Sequence, residues 1–125
     1  DWEPLFALSN VTFINLQSKA FEDDLLEIKE KYSVDVHNFD ELDHYDDFAD
    51  VAALCKALDM CVSVSTAVST VAGGVGTPTR MLHWRQSSWN NVLFAPPGPN
   101  VKIYEKDTWE TWESCFKSIA KDMTK

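Results

Sequence analysis

The chain has 125 residues, of which 45% are hydrophobic and 12% aromatic, a composition typical of one globular domain and not of a disordered segment. Its formal net charge of −9 argues against a nucleic-acid-binding protein, because binding to nucleic acid polymers requires basic surface. No apolar run approaches the ~20 residues that span a bilayer, so we expect no membrane span.

The three cysteines indicate the redox environment. Cys55, Cys61 and Cys115 lie among apolar neighbours and show neither CxxC nor Cys/His ligand spacing. This pattern predicts reduced, buried thiols in a cytoplasmic protein and no metal site. The chain begins at Asp1 without a Met, so we expect it to be part of a longer protein.

The first half of the chain alternates strand and helix patterns. The segment "VTFINLQ" (11–17) is rich in β-formers, and "KAFEDDLLEIKEKY" (19–32) has apolar residues at helical spacing. A short strand is predicted over 34–36. After an acidic loop, Asp47 occupies an N-cap position with Asp50 three residues on, which predicts a helix as far as about Leu58.

The second half continues this alternation. "MCVSV" (60–64) predicts a strand, "TAVSTVAGGV" (66–75) a short helix of small residues, and "PTRML" (78–82) a further strand. Gly73, Gly74 and Gly76 come at the end of that helix, so they do not form a phosphate-binding loop and indicate close packing and a turn.

A long segment without periodicity, "HWRQSSWNNVLFAPPGPN" (83–100), is expected to be a loop. "VKIYE" (101–105) predicts the last strand, and "TWETWESCFKSIAKDM" (108–123) a closing helix. The buried side of this helix is predicted to carry Trp109, Trp112, Cys115, Phe116 and Ile119.

This order of elements predicts an α/β fold, a Rossmann-like three-layer sandwich with a doubly wound parallel sheet, formed by residues 1–125 as a single domain. Ligands of such sheets bind outside the carboxyl ends of the strands. Here those ends lie at Gln17, near His37, at Ser65–Thr66 and at His83–Trp84. A flavodoxin-like or receiver domain is disfavoured, because these ends carry neither an FMN loop nor a phosphoacceptor Asp.

Four segments, taken in order, resemble a known family. "FINLQ", "DFADVAALCKALDMCVSVSTAVSTVAGGVGTPTRML", "WRQSSW" and "VKIYEKDTWETW" are similar to the C-terminal, nucleotide-sugar-binding half of GT-B glycosyltransferases. The similarity is to the heptosyltransferase-like group (glycosyltransferase family 9-like) that is fused to tetratricopeptide repeats in bacteria. It implies a partner region upstream, either an N-terminal Rossmann-like half or such repeats. It also implies that this chain alone is not an active enzyme.

The resemblance implies a site for the donor diphosphate where the third strand meets the following helix. Thr66 corresponds to the family's phosphate-binding Thr, and Ala67 and Val68 would supply backbone N–H groups. The family's usual Asp is Ser65 here, and its usual His is Thr70. From the residues alone, these hydroxyls could equally be helix caps.

Further site residues follow from the same resemblance. The donor side includes Gln17 and Arg85, although Arg85 could instead form a structural ion pair. Asp46 and Asp47 could also be a solvated loop with one helix cap, and the tryptophans could be loop anchors. The base and sugar side comprises Asp46, Asp47, Phe48, Trp84 and Trp89.

Together these residues predict a domain that binds a nucleotide sugar as a substrate, with no cofactor and no metal. Glycosyl transfer would then require the N-terminal half. The alternative is a catalytically degenerate domain of the same fold that serves as an interaction or scaffold module.

Overall fold

The computed structural model of the chain describes residues 2–17, 21–42, 47–64, 66–84, 99–107 and 109–124. Within these ranges, helices and strands alternate along most of the sequence. The helices are α1 (Glu3–Phe6), α2 (Glu22–Tyr32), α3 (Phe48–Ala57), α4 (Ala67–Gly74) and α5 (Glu113–Met123). The strands are β1 (Phe13–Ile14), β2 (Val36–His37), β3 (Cys61–Val64), β4 (Thr79–Trp84) and β5 (Val101–Lys106).

All described strand pairs are parallel. β3, β4 and β5 form a three-stranded sheet in that order, and β1 pairs with β2 in a separate two-stranded sheet. Helix α4 connects β3 to β4, as a parallel crossover requires. The predicted α/β class, with parallel strands flanked by helices, is confirmed.

The sheet of β3, β4 and β5 has a different layer on each face, because side chains alternate along a strand. Leu82 and Tyr104 are register partners, and they face α1 and α5. Cys61 faces the opposite side and packs with α3 and α4. The first core contains Leu5, Leu82, Tyr104, Cys115, Phe116 and Ile119, and the second contains Val51, Cys55, Cys61 and Ala72.

Helix α3 forms as predicted. The Asp50 N–H donates to the Asp47 carboxylate at 3.0 Å, which caps the helix, and Val51 and Cys55 are buried one turn apart. All three cysteines are buried, as the sequence indicated, and no disulfide joins any of them within the described residues.

The small residues of α4 allow it to pack closely on the sheet. Ala72 and Gly73 are buried, and the Asn100 amide donates to the carbonyls of Gly73 and Thr77, at 3.0 Å each. Gly76, in the turn that follows, has φ +86°, a conformation that favours glycine.

Several predicted boundaries were wrong. β1 and β2 each have two residues, the four-residue α1 was not predicted, and β4 continues through His83 and Trp84 because Trp84 pairs with Lys106. α5 begins only at Glu113. Trp109 therefore precedes the helix and is 75% exposed, so its assignment to the core was wrong, whereas the half-buried Trp112 packs against the first core.

Candidate functional site

Several of the candidate residues lie at the carboxyl ends of the strands in the sheet of β3, β4 and β5. Val64 at the end of β3 pairs with Leu82, and two residues further along β4 lies Trp84, the partner of Lys106. Two residues beyond Val64, the chain reaches Thr66 and turns into α4. The start of α4 and Trp84 therefore both lie at the carboxyl edge of this sheet, where parallel sheets bind ligands, and the Trp84 ring is on the face that packs against α5.

The start of α4 is organised by neutral hydroxyl groups. The Thr66 N–H donates to Ser69 Oγ at 3.1 Å, and the Ser69 hydroxyl donates back to the Thr66 carbonyl at 2.7 Å. The Ser69 side chain is fully buried, so this pair of bonds holds the first turn in place. Thr66 Oγ1 lies 3.3 Å from Ser63 Oγ at the end of β3 and belongs to an exposed residue.

The first backbone N–H groups of α4 point away from the helix body, as they do at any helix start. In the described part of the chain, no hydrogen bond from the N–H of Ala67 or Val68 is found. The Thr70 hydroxyl donates to the Thr66 carbonyl at 3.3 Å, so it serves the helix backbone. Thr66, Ala67 and Val68 are therefore brought together, while Thr70 is turned toward its own helix.

Charge distinguishes α4 from the other described helices. Each of these has at least one acidic residue in its first turn, at Glu3, Glu22, Asp50 and Glu113, whereas α4 has none. Acidic side chains neutralise the partial positive charge at a helix start. The N-terminus of α4 keeps this partial charge without a carboxylate in its own first turn.

The start of α3 was predicted to face the nucleobase. Asp47 caps the helix, and Phe48 is exposed. The pKa of the Asp50 carboxyl group is raised, mainly by a side-chain hydrogen bond with Asp47 and to a lesser degree by repulsion from the Asp47 charge. An open surface depression of about 270 Å³ lies beside α3, lined by Phe39, Glu41, Leu42, Asp50, Ala53 and Leu54.

Gln17 lies beyond the carboxyl end of β1, next to a polar network that the sequence did not reveal. Its N–H donates to Asn15 Oδ1 at 3.1 Å, and the Asn15 amide donates to Asn38 Oδ1 at 3.0 Å. Asn15 is buried. A polar residue inside the apolar run "FINL" is the signal that could have identified it, because a buried amide must find partners.

Trp84 belongs to a cluster with Trp112 and Lys106. The two indole rings are stacked with centroids 6.0 Å apart, and Lys106 Nζ lies 5.6 Å from the Trp84 ring and 4.7 Å from the Trp112 ring. Lys106 is only 5% exposed, whereas Trp84 is 51% exposed. The strand pattern contained a signal for Lys106, since it lies two residues after the buried Tyr104 and thus on the same face.

Four candidate residues, Ser65, Arg85, Asp46 and Trp89, lie outside the described residues. Among the residues that are described, no group of three potential metal ligands comes together. His83 is buried on the face opposite Trp84, and its Nε2 has no hydrogen-bond partner among them.

Comparison with known proteins finds a relative that aligns with most of the chain. Over 121 residues the chain is 34% identical to Protein FlbA of Caulobacter vibrioides, an alignment that includes 95% of this chain. The chain spans about a fifth (20%) of the length of that relative. No family model matches the chain, and no solved structure matches it. None of the described helices is long and apolar enough to cross a membrane.

Proposed function

We propose that this domain binds the diphosphate of a nucleotide sugar at the N-terminus of α4. The observation that carries this proposal is the start of α4 itself. It follows a parallel strand directly, its first turn has no carboxylate, and the N–H groups of Ala67 and Val68 are available within the described structure. In a chain of net charge −9, an uncharged helix start at the ligand-binding edge favours an anion.

The bound diphosphate would accept hydrogen bonds from these N–H groups and from the exposed Thr66 hydroxyl. The nucleobase would lie toward Asp47 and Phe48 at the neighbouring helix start, and the sugar toward Trp84. Backbone dipoles and any nearby cation, for which Arg85 is the predicted candidate, would stabilise the negative charge of a departing nucleoside diphosphate. We propose that transfer of the sugar depends on an N-terminal half, which would supply contacts to the acceptor and the catalytic base.

A second candidate function has its own observation in favour. The hydroxyl groups of Ser69 and Thr70 both donate to the Thr66 carbonyl, so the helix start satisfies part of its polar groups internally. This arrangement would also suit a degenerate domain that binds no nucleotide and acts as an interaction module.

Isothermal titration of the domain with nucleoside diphosphates and nucleotide sugars separates the two candidates. The proposal predicts saturable binding that Thr66→Val weakens by about tenfold, because a hydrogen bond to a charged oxygen is lost. Thr66→Ser is the matched control and should retain wild-type affinity. Absence of binding at millimolar ligand by the folded domain, or equal affinity of all three proteins, would refute the phosphate site.

A further inference from the structure

We propose that the half-exposed ring of Trp84 is a stacking platform for the pyranose ring of the nucleotide sugar, and that Lys106 is the positioning residue that holds it. This inference rests on the proposed diphosphate site, because that site determines which group of the ligand reaches Trp84. It adds a specific contact for the sugar and a role for a lysine that the proposed function does not use.

The Trp84 ring is held in place by contacts with two neighbouring side chains. The Trp112 ring and the ammonium group of Lys106 cover part of the Trp84 indole. The remaining surface leaves Trp84 51% exposed. A fixed aromatic ring loses little conformational freedom when a ligand stacks on it. Trp109 offers the contrast, since it is 75% exposed and no ring contact of it is found among the described residues.

Lys106 is itself held firmly. Its ammonium group donates to the carbonyl of Glu110 at 2.8 Å and to that of Asp107 at 3.3 Å. The Asp107 N–H in turn donates to the Glu110 carboxylate at 2.8 Å, which closes the turn before α5. No ion pair of Lys106 is found within the described residues, so the carbonyls and the two indole faces stabilise its buried charge.

The position of the platform selects the sugar as its occupant. Trp84 lies on β4 two residues after Leu82, and Thr66 lies two residues after Val64, the register partner of Leu82, just beyond the end of β3; the paired strands are about 5 Å apart. Trp84 faces the α5 side of the sheet, whereas α4 covers the other side. A group attached directly to a diphosphate at α4 therefore reaches Trp84 across the top of the strands, while the base extends toward α3.

The chemistry of a pyranose suits this surface. One face of such a ring presents mainly C–H groups, and an indole offers a broad apolar face against which they can be buried. The ring hydroxyls stay at the rim, in water.

The test compares UDP with UDP-glucose and ADP with ADP-glucose by calorimetry, using wild type, Trp84→Ala and the matched control Trp109→Ala. We expect Trp84→Ala to weaken binding of the nucleotide sugar by about tenfold while leaving that of the nucleoside diphosphate unchanged. Trp109→Ala should change neither affinity.

Lys106→Met removes the charge and keeps most of the side-chain volume. It should lower the ratio of nucleotide-sugar to nucleotide affinity. It should also increase acrylamide quenching of the indole fluorescence in a background where Trp2, Trp89 and Trp109 are replaced by Phe, so that only Trp84 and Trp112 remain. If Lys106→Met does not fold, Trp112→Leu, which removes the ring stacked on Trp84, is the second variant. It should change the affinity ratio and the quenching in the same directions.

The outcomes distinguish this inference from the proposed function. If the nucleoside diphosphates bind but the sugar contributes nothing, or Trp84→Ala behaves like Trp109→Ala, the platform is refuted and the diphosphate site stands. If no nucleoside diphosphate or nucleotide sugar binds, the proposed function fails and this inference fails with it.

Discussion

Helices α3 and α4 lie side by side over the same core, yet their N-termini differ in charge. α3 begins with the Asp47 carboxylate as its cap and has Asp50 in its first turn. α4 begins with Thr66, and its first turn is held by the neutral hydroxyl of Ser69. Both helices follow strands of parallel ladders, so backbone geometry alone does not explain the difference.

This difference in charge bears on the proposal that an acidic chain binds an anionic ligand. At α3 the protein supplies its own negative charge to the helix dipole, so a phosphate there would meet a carboxylate. At α4 the hydroxyl groups satisfy part of the backbone and leave the partial positive charge in place. Under our proposal, a phosphate would therefore bind at the start of α4 and would be repelled at the start of α3.

The largest expected effect concerns the core that the two helices share. Burial, and to a lesser degree the nearby Cys55, raises the pKa of the Cys61 thiol to about 12 from 9.0. The folded state thus keeps a proton that the unfolded state loses, so stability is complete below pH 9 and falls as the pH rises toward 12. The free energy of unfolding should fall by up to ~1.4 kcal/mol per pH unit in this window.

Urea unfolding of wild type and Cys61→Ala between pH 8 and pH 11 measures this loss. Lys and Tyr residues titrate in the same range, so the difference between the two proteins isolates Cys61. Equal pH dependence of both proteins would show that the thiol beneath α3 and α4 is not buried as described.

The next largest effect is expected at α4, where a single substitution removes the difference in charge between the two helix starts. Ala67→Glu introduces a carboxylate into the first turn at an exposed position, as in the other described helices. We expect diphosphate affinity to fall by about tenfold or more, through repulsion. The helix itself should gain about 0.3–1 kcal/mol, since the new charge interacts favourably with the dipole.

Calorimetric titration and thermal unfolding of Ala67→Glu and Ala67→Gln together test these opposite signs. Gln has the same shape without the charge and should retain binding. Equal loss in both variants would point to steric exclusion and against an electrostatic origin.

A smaller effect belongs to α3. Asp47→Ala removes the side chain that accepts from the Asp50 N–H, so the free energy of unfolding should fall by about 1 kcal/mol. Affinity for inorganic pyrophosphate, which has no base to reach α3, should not change, because the proposed phosphate site lies at the other helix. Asp47→Asn can still cap and should lose little stability, and chemical denaturation with a parallel ligand titration measures both quantities.

The smallest effect is expected at Thr70. Its hydroxyl donates to the Thr66 carbonyl, within the helix, so Thr70→Val should change stability by less than about 0.5 kcal/mol and leave ligand affinity unaltered. A tenfold loss of affinity in this variant would place Thr70 in the phosphate site and correct our assignment.

The sequence predicted the elements whose local signals agreed with one another. For α3, the Asp47 cap and the apolar stripe pointed to the same bounds, and the core side of α5 at Cys115, Phe116 and Ile119 followed from helical spacing. Trp109 was misplaced because its three-residue spacing from Trp112 imitates a helix. The backbone there is instead held in a turn by bonds to Glu110.

For the site, strand ends and the helix start could be located in the sequence, but side-chain directions could not. Whether Thr70 faced a ligand or its own helix depended on one rotamer, and the burial of Lys106 depended on contacts with two rings distant in sequence. Tertiary contacts of this kind are absent from local patterns. The extension of β4 to Trp84 was missed for the same reason, since its pairing partner Lys106 belongs to another strand.

The central claim is that an anionic ligand binds at the start of α4 and not at the start of α3. Amide shifts of the ¹⁵N-labelled domain, titrated with inorganic pyrophosphate, which lacks the base proposed to lie toward α3, test it most directly. We predict saturable shifts at the Ala67 and Val68 amides, with the Phe48 and Ala49 amides nearly unmoved. Shifts concentrated at α3, or Ala67 and Val68 unmoved at saturating ligand, would contradict it.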